Sequence, residues 1–259
     1  MNDDSRRRPA GARIGLVLAA LCAFAVFMAL GTWQLERRSW KLELMARVQE
    51  RVHAAPVPAP GPSLWPQVTA AQDEYRVVSA SGVYLHDRET LVQAVTELGA
   101  GYWVLTPLRL ADGSLVLVNR GFVPPERRDA ATRAAGNPAG DVTVTGLLRV
   151  SEPGGTLLRR NEPPLDHWYS RDVAAIAAAR QLGSVAPYFI DARTETPASG
   201  GAPAAGQAPV GGLTVLAFNN NHLAYALTWF ALALLSALAA VLVLRTGQRP
   251  PAIESRVWR

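Results

Sequence analysis

The sequence predicts an α+β membrane protein in which two transmembrane helices flank a β-rich domain that faces outward. Three observations predict it. Two uncharged apolar runs, Ile14 to Leu35 and Leu223 to Leu244, lie toward opposite ends of the chain. Short runs rich in β-branched and aromatic residues fill the stretch between them. The arginine excess lies outside both runs.

As an α-helix rising about 1.5 Å per residue, each apolar run reaches roughly 33 Å, enough to cross a hydrocarbon core of about 30 Å. The net charge of +5 comes from the flanks. Arg6, Arg7, Arg8 and Arg13 precede the first run, and Arg245, Arg249, Arg256 and Arg259 follow the second. By the positive-inside rule this places residues 1–13 and 245–259 in the cytoplasm as tails of spans 14–35 and 223–244. The segment from Glu36 to His222 is balanced in charge, which argues against nucleic acid as a partner and leaves the lipid bilayer. Arg37, Arg38 and Lys41 lie just beyond the first span, but a segment this long is translocated largely regardless of its charge. A signal peptide ending near Ala29-Leu30-Gly31 is the competing reading of the first run. The run is too long for a typical h-region, and Gln34 to Val52 continues in helix formers without Pro or Gly. With Glu43 and Arg47 at i,i+4 spacing, a retained anchor that extends outward as a helical stalk is preferred.

The only cysteine, Cys22, falls inside the first span. A disulfide in the outward domain is therefore excluded, as is copper delivery through thiolates, and the three scattered methionines form no soft-ligand cluster. Residues 36–66 form the stalk and a linker, since Ala54 to Pro66 holds five prolines and suits neither helix nor central strand. Residues 67–222 then read as one domain. Strands are predicted over Arg76–Tyr84, Thr90–Val95, Tyr102–Leu110, Ser114–Phe122 and Asp141–Val150, with Asp112-Gly113 marking a hairpin. Asp172 to Leu182 reads as a helix capped by Asp172 and ended by Gly183, followed by a strand over Ala186–Ala192. Thr196 to Gly212, dominated by Gly, Ala and Pro, reads as a mobile loop, and Gly212 to Phe218 as a last strand feeding the second span.

Candidate site residues gather where the spans meet water. His53, His86 and His167 sit in stalk, turn and loop contexts and read as solvated or structural. His222 closes the polar run Asn219-Asn220-Asn221-His222 immediately before the second span. Trp229 lies two turns deeper at nearly the same azimuth, with Tyr225 between. That face suits a flat apolar macrocycle ligated by His222 and flanked by the Trp229 indole; it suits equally an interfacial aromatic belt. On the first span, Trp33 and Gln34 mark the outer end, and Gln34, Arg37, Arg38 and Lys41 recur at i, i+3, i+4, i+7. These cations can pair with the carboxylates of an amphipathic ligand such as haem propionates, with anionic lipid headgroups, or with a partner subunit.

Five stretches carry a family likeness: GTWQLERRSWK at 31–41, GYWVLTPLRL at 101–110, DGSLVLVNRGFVP at 112–124, VTVTGLLR at 142–149 and NHLAYALTWFALA at 221–233. The chain resembles the surfeit locus protein 1 family (Shy-type proteins), which assist assembly of haem–copper cytochrome c oxidase. The resemblance implies two spans with both termini inside, location in the cell (inner) membrane, and an outward β-rich domain. It also implies transient binding of haem a for insertion into the oxidase catalytic subunit, alongside other assembly factors, and no catalysis. The family's haem ligand falls on His222 and its associated aromatic on Trp229. Trp33 and Gln34 match the first-span motif, and Asn119, Arg120 and Gly121 match a hairpin motif with a shaping role.

The leading expectation is thus a haem a chaperone using His222 as axial ligand to the haem iron. The alternative is a membrane scaffold that tethers oxidase subunits and never touches haem. A signalling receptor is disfavoured by the short tails, and an enzyme by the lack of any His, carboxylate and nucleophile grouping at a recognisable spacing.

Overall fold

The computed structural model describes residues 10–156, 158–200, 208–213 and 220–246. They belong to two compact units, one drawn from 1–46 and 217–259, the other from 47–216. The helices are α1 (Ala10–His53), α2 (Ala70–Asp73), α3 (Val173–Ala179) and α4 (His222–Thr246). Arg6, Arg7, Arg8, Arg249, Arg256 and Arg259, on which the charge argument partly rests, lie outside the described residues.

Both α1 and α4 are long and apolar enough to cross a membrane, which fits a membrane protein. The end of the apolar run is not the end of α1, which continues to His53 as the helix formers predict. Along α1 the less exposed residues include Ala20, Phe24, Phe27, Gly31, Gln34, Arg38 and Lys41. Along α4 they include His222, Ala226, Trp229, Ala233, Ser236 and Ala240. Steps alternating between three and four residues give a 3.5-residue period, the seam of two helices with a left-handed twist about each other. Ala226, Ala233 and Ala240 are the buried members on α4, and small side chains there let two helix backbones approach closely.

The second unit is a mixed seven-stranded sheet: β1 (Val57–Pro58), β2 (Val77–Tyr84), β3 (Thr90–Thr96), β4 (Gly99–Leu110), β5 (Leu115–Val123), β6 (Asp141–Val150) and β7 (Val185–Pro197), in spatial order β1-β2-β6-β7-β5-β4-β3. Gly82 to Tyr84 of β2 pair a second time, with β4, so that β2, β6, β7, β5 and β4 close on one another. Alternate residues of the closed strands point inward. Val78, Leu108, Val118, Val144, Leu148, Tyr188 and Ile190 form the resulting core. Leu105, Leu117 and Phe189 point the other way and pack with Trp168, Val173 and Ile176 under α3. Strand β5 is buried along its whole length, which explains its near-continuous apolar run.

Most predicted elements are present with shifted ends. The Asp112-Gly113 hairpin joins β4 to β5, with Asp112 Oδ1 accepting from Ser114 N at 2.9 Å. The Pro-rich stretch is an extended wrap whose Val57 and Pro58 add a parallel edge strand to β2, a position where proline costs no ladder bond. Asp172 caps α3 by accepting from Ala175 N, but α3 ends sooner than expected. Gln181, at φ 52°, takes the left-handed turn expected of Gly183, with Leu182 N and Gln181 N returning to the carbonyls of Ala177 and Ala178. The loop expected from Thr196 is also corrected. β6 offers backbone partners that extend β7 to Pro197, and Val210 pairs with Phe122. Gly212 and Leu213 form no strand, and 214–218 of the expected last strand lie outside the described residues, as do 201–207.

Candidate functional site

The contact between the two apolar helices is built from sequence spacing. Gln34 falls on the α1 seam and His222 opens α4, so an antiparallel pair sets them side by side: His222 Nδ1–H donates to Gln34 Oε1 at 2.7 Å. One heptad further along both helices, Phe27 stacks on Trp229 with ring centroids 5.7 Å apart and planes 23° from parallel. Between them Phe230 lies on Gly31, where a Cβ would overlap the ring unless the ring shifted, so glycine permits this close approach.

This arrangement decides what His222 can do. An amide oxygen accepts only, so Nδ1 is the donor in this hydrogen bond, and of the two neutral tautomers it selects the one whose lone pair lies on Nε2. Nε2 has no hydrogen-bond partner among the described residues, and the ring is half-buried rather than enclosed. An imidazole with one nitrogen anchored and the other open is an arrangement able to ligate a metal.

The other candidates divide. Trp229 is half-buried in the seam, with one indole face taken up by Phe27. Tyr225 and Trp33 are 57 % and 53 % exposed and point away from the seam; its buried position near Tyr225 is Ala226 instead. The basic cluster does not stay together: Arg37 is exposed and sits 4.1 Å over the Trp40 ring, whereas Arg38 is half-buried beside the Gln34 stripe. Arg38 has no ion-pair partner among the described residues. The three other histidines have local partners, His53 with the Gln49 carbonyl, His86 with the Pro138 carbonyl and His167 with Glu162.

The sheet unit contains charge constellations that spacing alone could not reveal. Arg120 is buried: its guanidinium donates to Glu195 at 3.1 Å, to Asn137 Oδ1 at 2.6 Å and to the Gly136 carbonyl at 3.2 Å, and it lies over the Tyr84 ring. The Tyr84 hydroxyl donates to Glu195 at 2.8 Å, and burial together with the Glu195 charge pushes its pKa well up. Arg133, also buried, pairs with Glu89. The matched Asn119-Arg120-Gly121 motif therefore has a shaping role that can be read residue by residue. Asn119 donates to Asp191 at 2.8 Å, and Gly121 at φ 132° has no room for a Cβ against the Val210 carbonyl.

A second cluster lies along a cleft of about 540 Å³. Asp191, only 4 % exposed, receives Arg149 at 3.1 Å and Arg171 at 3.2 Å, while Glu74 and Glu152 bind the far sides of those arginines. Burial raises the Glu152 pKa, but the hydrogen bond and charge of Arg171 outweigh it and hold the carboxyl below its usual range. Three carboxylates face two guanidiniums, so these five groups sum to −1 and offer no net attraction for an anion. Among the described residues no group of three or more His, Cys, Asp or Glu side chains is placed to hold a metal ion.

The SURF1 family model matches residues 21–234. Surfeit locus protein 1 of Mus musculus is 36 % identical over 80 % of this chain and 69 % of its own length. The Homo sapiens protein of the same name is 35 % identical over 84 % and 72 %. The SURF1-like protein of Monosiga brevicollis is 35 % identical over 90 % and 89 %. The match takes in the sheet unit and both sides of the Gln34–His222 contact, and the chain belongs to the SURF1 family.

Proposed function

We propose that this chain is an assembly factor of cytochrome c oxidase that binds haem a through His222 at the outer membrane surface and delivers it to the oxidase catalytic subunit. Family membership supports the oxidase role, and one observation carries the haem reading: His222 is anchored through Nδ1 to Gln34 while Nε2 stays open. The iron of haem accepts that lone pair, and the reaction is a transfer of intact cargo with no covalent bond of the macrocycle changed.

The remaining residues supply the surroundings. The Phe27–Trp229 stack forms an apolar floor one heptad deeper, and Arg38, without an ion-pair partner among the described residues, is a donor for a propionate. An interfacial position suits a haem with a lipid-like tail, which stays in hydrocarbon while the propionates remain wet. Arg13 and Arg245, flanking the apolar runs, favour cytoplasmic termini with the sheet unit outward, and family membership supports the cell (inner) membrane as the site.

The test is haem titration of the purified full chain in detergent. The expected result is a Soret band in the wild type that His222→Ala weakens at least tenfold in affinity. A band indifferent to that substitution removes His222 as ligand, and a wild type that takes up no haem leaves the scaffold role in its place.

A further inference from the structure

Resting on the haem reading above, we infer that Gln34 is a positioning residue for the cargo ligand: its amide oxygen selects the His222 tautomer whose Nε2 lone pair is available to iron. The two residues are separated by 188 positions in sequence and come from opposite helices, yet they meet at 2.7 Å. No other hydrogen bond to the His222 ring exists among the described residues, so the choice of tautomer and the ring orientation both depend on this one contact. Without an acceptor at Nδ1 the neutral ring can carry its proton on either nitrogen, and the form protonated on Nε2 cannot ligate through it.

Gln34 is itself well placed to hold an orientation. It is a half-buried seam residue on a helix that continues well past it in both directions, one heptad from Phe27, whose ring is fixed against Trp229. Gly31, one turn away, is pressed against Phe230. The amide is therefore delivered by packed helix rather than by a loop, which is the condition for an outer partner to orient a metal ligand. The seam also makes the ligand conditional. If α1 and α4 part at this level, the Nδ1 anchor goes with them.

Two measurements on the full chain in detergent test this. The first needs no haem: nitrogen NMR of 15N-histidine-labelled protein, with His222 assigned by loss of its signals in His222→Ala. The wild type should show the proton on Nδ1, and Gln34→Leu should show a mixture of both neutral tautomers. The second is haem affinity. Gln34→Leu should lose 10–100-fold, the usual range for an outer-partner substitution, while Gln34→Glu, which offers the same acceptor with more charge, should restore binding and lower the haem reduction potential.

A wild-type ring protonated on Nε2 would mean that the Gln34 amide nitrogen donates to Nδ1, and would overturn the inference. A haem affinity indifferent to Gln34→Leu overturns it as well while leaving His222 as ligand. Loss in both Gln34→Leu and Gln34→Glu assigns Gln34 to helix pairing alone and overturns the inference too. A wild type that binds no haem defeats the cargo reading first, and this one with it.

Discussion

Two polar contacts join distant parts of this chain, Gln34–His222 in the helix pair and Arg120–Glu195 in the sheet unit, and they differ in what they leave over. Every nitrogen of the Arg120 guanidinium is engaged, its carboxylate partner takes a further bond from Tyr84, and Arg120 and Tyr84 are buried while Glu195 and Asn137 are partly so. His222 is half-buried, with one nitrogen engaged and one not. On the proposed haem reading, that contrast separates polar groups that hold a fold from one that takes a ligand. In a saturated buried network the loss of any member strands the others, whereas an anchored donor atom with an open face has chemistry still to perform.

Substitutions at either contact test this distinction, starting with the largest effect. Arg120→Met strands the Glu195 carboxylate and should cost about 3–5 kcal/mol in denaturant unfolding of the sheet unit. A loss below about 1 kcal/mol would show that the network is not structural. Tyr84→Phe removes one donor from Glu195 and leaves Arg120 in place, so it should cost about 1–1.5 kcal/mol by the same assay. Gln34→Leu should cost still less stability, about 0.6 kcal/mol for a polar contact between apolar helices, whereas the proposed haem role predicts a roughly 10–100-fold loss of affinity. A destabilisation as great as that of Arg120→Met would merge the two classes.

The smallest expected effect is a pH dependence at His86, whose ring lies 5.4 Å from that of Tyr84. Burial lowers the His86 pKa, the Arg120 charge lowers it further, and the Pro138 carbonyl, Glu89 and Glu195 oppose both. Its Nδ1 is buried with no partner among the described residues, so protonation in the fold is disfavoured. The folded-state value lies below the unfolded one, near 6.5. The contribution is therefore complete above about pH 6.5 and is lost as pH falls toward the depressed folded value. Thermal unfolding of His86→Gln should flatten this part of the profile between roughly pH 7 and 5.

Much of the sheet unit was legible in the sequence, because strand existence follows local composition. β6 matches its predicted limits, and the Asp112-Gly113 signal located the β4–β5 hairpin. The closure of β2 on β4 and the parallel pairing of β5 with β7 were not legible, since each joins strands that no short turn connects. Within the site, the sequence pointed to His222 and Gln34 separately and could not join them. Both runs are apolar on every face, so the 3.5-residue seam leaves no amphipathic trace and becomes visible only when the helices lie together. The same blindness hid Phe27 as the neighbour of Trp229, and it grouped Arg37 with Arg38 although the helix turns one out and the other in.

The stack at Phe27 and the hydrogen bond at Gln34 lie at the same phase of α1, and that coincidence is fragile in a way composition does not register. One alanine added between them would leave the segment just as greasy and just as helical, yet would swing everything beyond it by about 100°. The carboxamide would then turn away from α4 and the imidazole would lose its tether. A frame of helical phase, set by one ring pressed on another, thus governs which atom of a distant side chain is offered to solvent.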